Sequence, residues 1–113
     1  MHSYLSRLEE VAKADLEGLL VAEKSYGDSW KKRGGVGAYM MLVRKFDRIE
    51  LQTKDHGWDV FEAAAEDQRA EGIIDDIRDL RRYLLLVEAH LLATGVVHPK
   101  HRDNDSCHID TRL

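Results

Sequence analysis

The sequence predicts an all-α fold, a small bundle of about four helices completed by oligomerisation. Apolar residues recur at three- and four-residue spacing over long stretches. The single proline, Pro99, lies downstream of those stretches, so nothing before it interrupts a helix. No segment shows the period-two alternation of a half-buried strand. At 113 residues, one domain with one core is expected, and a helical chain this short often shares its core with a second copy.

The first helix is expected from about Ser3 to Lys24, with Leu5, Leu8, Ala12, Leu16, Leu19 and Leu20 as its apolar stripe. Tyr26-Gly27-Asp28-Ser29 carries the turn chemistry that ends it. A loop follows from Trp30 to Gly37, and the second helix is expected from near Val36 to about Lys54, its stripe Tyr39, Leu42, Phe46 and Ile49. His56-Gly57 closes it, and a short alanine-rich helix is expected from Asp59 to about Gln68. The fourth helix should run from about Glu71 to Ala93 on Ile73, Ile77, Leu80, Leu84, Val87 and Leu91, with Gly95 as its stop. Beyond it the periodicity vanishes. The organisation expected is a helical domain over residues 1–95 and a polar tail or intersubunit arm over 96–113.

Hydrophobic residues at 43% and charged residues at 34% give a globular rather than a disordered composition. A formal charge of −4 disfavours binding to duplex nucleic acid, yet allows a small anion in a local basic pocket. Cys107 is the only cysteine, so no intramolecular disulfide can form, which suits a reducing compartment. No apolar run approaches membrane-spanning length, and Met1-His2-Ser3-Tyr4 opens no signal-peptide pattern, so a cytoplasmic location without a membrane partner is expected.

Three groups of residues could carry chemistry. Asp47 and Glu50 are three apart on the second helix, as are Asp76 and Asp79 on the fourth. If those helices pack side by side, the carboxylates can converge, repelling one another unless a cation such as Mg²⁺ or Mn²⁺ neutralises them. Ordinary pairing is the other reading: Asp47 has Arg44 and Arg48 close by in sequence, and Asp75 has Arg78 and Arg82. The second group is Trp30-Lys31-Lys32-Arg33-Gly34-Gly35-Val36-Gly37, where cations precede glycines at a helix start. Backbone N–H groups, the helix dipole and Arg33 could cradle phosphate, and Trp30 could stack on a base. A solvated basic turn explains the same residues. The third, His98, His101, Cys107 and His108, matches no common zinc module and reads as a polar tail.

Tyr26-Gly27-Asp28-Ser29-Trp30, the helix Arg44-Lys45-Phe46-Asp47-Arg48-Ile49-Glu50 and the run from Gly72 to Leu84 together resemble the phage-encoded nucleotide modification associated domain proteins. More distantly, they look like the MazG-like all-α nucleoside triphosphate pyrophosphatases. That resemblance covers about Tyr26 to Glu88. It implies that Asp47, Glu50, Asp76 and Asp79 hold Mg²⁺, with Glu50 and Asp76 catalytic. Taken with the basic loop, the expected nucleotide and phosphate contacts are Trp30, Lys31, Arg33, Gly34, Gly35, Arg44, Lys45 and Tyr83. The first position of each acidic pair is Asp where the family has Glu, and Lys45-Phe46 stands where a further acidic residue often precedes the first pair.

The expected function is therefore metal-dependent hydrolysis of a free (deoxy)nucleoside triphosphate by a cytoplasmic homodimer or homotetramer, during phage infection. The rival is a binding protein that sequesters a nucleotide, including a cyclic signalling nucleotide of host defence, without cutting it. It is favoured if the aspartates prove too well paired with arginine to hold Mg²⁺. The third reading is a helical adaptor, which requires all the carboxylates to face solvent or pair locally.

Overall fold

The computed structural model describes residues 3–67 and 72–96. All regular structure among them is helical: α1 (Ser3–Tyr26), a 3-10 turn (Ser29–Lys31), α2 (Gly34–Lys54), α3 (Val60–Glu66) and α4 (Ile73–Ala93). His98, His101, Cys107 and His108 of the expected tail lie outside the described residues. No helix of the described residues is long and apolar enough to cross a membrane.

The helix ends follow local chemistry. Asp59 caps α3, its Oδ1 accepting from the Phe61 and Glu62 amides at 3.0 Å each. The Asp67 carboxylate accepts from the Ile73 amide and so caps α4. The basic loop differs from expectation at its end, because α2 begins at Gly34 rather than near Val36. Gly34, Gly35 and Gly37 thus form the first turn of a helix whose amides point outward.

The chain forms two compact units, Met1–Tyr83 and Leu84–Leu113, which divide within α4. In the second unit the end of α4 closes on a left-handed residue, Gly95 (φ 80°). There Val96 N–H donates to Leu91 C=O at 3.1 Å and Gly95 N–H to Leu92 C=O at 3.2 Å, the double closure that glycine allows.

In the first unit polar side chains join the helices. Asp15 of α1 meets Arg81 and Arg82 of α4, Lys45 and Arg48 of α2 meet Asp79 and Asp76 of α4, and His56 after α2 meets Glu66 of α3. Ala63 and Ile73 are the buried apolar side chains among the described residues. The stripe expected to bury α1 is largely open: Leu8, Leu16 and Leu20 are 59%, 60% and 57% exposed. On α2, Tyr39 and Phe46 are likewise exposed, while Leu42 and Ile49 are half-buried.

Candidate functional site

Lys45, Arg48 and Gln52 recur at three- and four-residue spacing and so share one face of α2. That face meets the Asp76–Asp79 face of α4. Lys45 Nζ lies 3.0 Å from Asp79 Oδ2, and Arg48 Nε lies 2.8 Å from Asp76 Oδ1. Gln52 Nε2 donates to Asp76 Oδ2 at 3.0 Å, so each oxygen of the buried Asp76 has a donor. Asp75 pairs within α4 with Arg78 at 2.7 Å, as its sequence spacing suggests. Beside these residues is a cavity of about 330 Å³ lined by Lys45, Arg48, Asp75, Asp76 and Asp79. That lies at the small end of ligand-binding cavities, roughly 300–1,000 Å³.

Asp76, Asp79 and Lys45 are thus brought together, whereas Asp47 and Glu50 are exposed. At about 100° per residue both lie more than about 120° round α2 from the Lys45–Arg48–Gln52 face. Helix α2 turns its basic side to α4, because the buried Asp76 requires a cation and Arg48 supplies it. Among the described residues no group of three or more His, Cys, Asp or Glu is placed to hold a metal. Each of the three aspartates lining the cavity already has its own cation, Arg78, Arg48 or Lys45. In this arrangement the donor set does not fit Mg²⁺ or Mn²⁺; a divalent ion would require Lys45 and Arg48 to withdraw.

The basic loop stands apart from the cavity lining. Gly34 and Lys45 are eleven residues apart on α2, about 16 Å along its axis. Arg33, Gly34 and Gly35 are exposed, Trp30 is half-buried, and Lys31 lies 3.6 Å from Asp28. Arg44 is exposed next to Lys45, and Tyr83 is half-buried one turn beyond Asp79. Neither lines the cavity.

Asp15, which the sequence did not mark as a partner of anything, is held by two arginines. It is 2% exposed and takes Arg81 Nη2 at 2.8 Å and Arg82 Nε at 2.9 Å, with Arg81 Nε on its second oxygen. Arg82 Nη2 also reaches the Ala14 carbonyl at 3.0 Å. The Arg81 guanidinium holds the Asp15 carboxyl below its ordinary value against the opposing effect of burial, with Arg82 adding to it. The same contact raises Arg81. Gly18, one turn on, makes room: a Cβ there would lie 2.5 Å from Arg82 Nη1. The sequence did hold a signal, since Asp15 falls at the edge of the apolar stripe of α1, where an acidic side chain needs a cation from elsewhere.

His56 has an acidic partner. Its Nδ1 lies 3.1 Å from the Gln52 carbonyl and its Nε2 3.1 Å from Glu66 Oε2. Both neighbours are acceptors, so only the doubly protonated ring satisfies both. The Gln52 carbonyl raises its pKa above the usual 6.5; burial, the next cause, opposes it, and the charges of Glu66, Glu62 and Asp55 add to the rise.

Comparison of the chain with family models, with curated proteins and with solved structures finds no match.

Proposed function

We propose that this chain binds a nucleotide through its phosphates at the Lys45–Arg48 cavity, without a carboxylate-held metal. The observation that carries the reading is the pairing of Asp76 with Arg48 and of Asp79 with Lys45. Each carboxylate fixes a cation from one side and leaves other donors for a ligand. Asp76 takes the Nε edge of Arg48, so the terminal NH₂ groups of the guanidinium remain to fork onto a phosphate. Lys45 keeps two further ammonium donors beside its contact with Asp79. Such fixed cations recognise a phosphate with little ordering cost. The half-buried Trp30 and the α2 N-terminus remain the expected contacts for the base or for a distal phosphate.

The metal-dependent pyrophosphohydrolase is the second reading: Asp75, Asp76 and Asp79 line one cavity, and it requires Lys45 and Arg48 to withdraw from them. Titration calorimetry with nucleoside triphosphates and cyclic dinucleotides, in chelator and then in Mg²⁺, separates the two. Binding in chelator with ligand recovered intact supports sequestration. Pyrophosphate or monophosphate released only with Mg²⁺ supports hydrolysis. Arg48→Ala should weaken binding about 10-fold or more, the loss of one charge-assisted contact of about 1.5–3 kcal/mol. An unchanged affinity in both Arg48→Ala and Lys45→Ala would remove this cavity as the phosphate site.

A further inference from the structure

The open face of α1 has a pattern that selects its occupant. Leu5, Leu8, Ala12, Leu16 and Leu19 follow one another at spacings of three, four, four and three. At about 100° per residue they fall within about 80° of arc. Asp15, bound to Arg81 and Arg82, lies at one edge of that arc, so α4 grips the edge and leaves most of the stripe uncovered, Leu19 alone being half-buried. Leu5, Leu8 and Leu16 are exposed, and so is Ala12.

The spacing reads the same in both directions about Ala12. An antiparallel second α1, related by a two-fold axis through Ala12, would set Leu5 against Leu19 and Leu8 against Leu16, with Ala12 on itself. The small side chain at the centre lets the axes approach toward about 8 Å, the close limit of helix packing. Charge agrees with this direction. Glu9 and Lys13 flank the stripe on the edge away from Asp15. In the antiparallel arrangement Glu9 comes within about 3 Å, along the axis, of Lys13 of the other copy. A parallel two-fold pair would carry the Glu9–Lys13 edges of the two copies to opposite sides of the seam, where they could not meet.

We infer that α1 is a self-association surface, forming an antiparallel two-fold α1–α1 pair with a second copy of this chain. The stripe from Leu5 to Leu19 is about 21 Å long, and a stable interface buries about 800 Å² per partner. The pair is therefore at the small end, and its dissociation is visible with dilution. This inference is independent of what the Lys45–Arg48 cavity binds.

Sedimentation velocity of the whole chain from about 1 μM to about 500 μM, the range over which small interfaces dissociate, tests it. The expected result is a shift from monomer to dimer. Leu8→Lys and Leu16→Glu, each checked for unchanged helicity by circular dichroism, should each weaken association at least 10-fold. The double variant should recover it, because each introduced lysine then faces an introduced glutamate across the axis. A wild-type monomer throughout the range, or a double variant no better than either single one, would overturn the inference. A second readout avoids charge substitutions. With Cys107→Ser as background, Ala12→Cys should cross-link two chains under mild oxidation, and the off-stripe Val21→Cys should not. Equal cross-linking at both positions contradicts the two-fold axis.

Discussion

Asp15 has two arginines on one carboxylate, and its removal strands both guanidinium groups. Asp15→Ala is expected to cost about 3 kcal/mol, the lower end for breaking a buried pair, because Arg81 and Arg82 keep 36% and 25% side-chain exposure. Chemical denaturation measures it; a loss under about 1 kcal/mol would mean that the pair behaves as a surface pair. The pH dependence follows from the direction of the shift. The folded carboxyl titrates below the ordinary 3.8, so the unfolded chain binds the proton more readily. Its contribution is fully present above that value and is lost as pH falls through the lower, folded pKa. The wild type should therefore lose stability on acidification more steeply than Asp15→Asn. Trp58 is a second informative residue, a bulky side chain at φ 66° and 63% exposed. Trp58→Gly should raise stability by up to about 1 kcal/mol through relief of the left-handed backbone; a loss of stability would show that the indole is held by contacts worth more than the strain.

At the scale of elements, the α2–α3 connection responds to pH in the opposite sense. His56 titrates above 6.5 in the folded chain, so its contact with Glu66 contributes fully below 6.5 and fades as pH rises through the folded pKa. Amide protection factors in α3, which are corrected for the intrinsic base catalysis of exchange, should fall between neutral and mildly alkaline pH in the wild type. Glu66→Gln should flatten that dependence only in part, since the Gln52 carbonyl is the larger cause of the shift. Identical profiles would remove Glu66 from the effect. The helices themselves were legible in the sequence because unbroken three- and four-residue periodicity has few competing outcomes without proline. Their facing was not. Periodicity identifies the apolar side of α2, yet the buried Asp76 draws in the neighbouring face bearing Lys45, Arg48 and Gln52. Asp47 and Glu50 are carried away from α4 by that rotation, which no spacing within α2 reveals.

Across the whole molecule, charge pairing and apolar exposure are two sides of one pattern. Ion pairs join the helices of the first unit, and leucines remain exposed on α1. A surface of that kind is ordinarily covered by another chain. Three of the expected residues, Asp76, Asp79 and Lys45, do meet, because side chains of α2 and α4 reach across to one another. Sequence spacing makes Arg48 a local partner of Asp47, and nothing within α2 reveals that it pairs instead with Asp76 across the helices. The central claim is that side-chain cations stand beside Asp76 and Asp79 and serve phosphate directly. It is tested most directly by calorimetric titration of nucleoside triphosphates and cyclic dinucleotides into the wild-type chain with all divalent ions chelated. The expected result is saturable binding in chelator, with the nucleotide recovered intact and affinity lost in Arg48→Ala. Absence of binding until Mg²⁺ is added, followed by release of pyrophosphate, would contradict it.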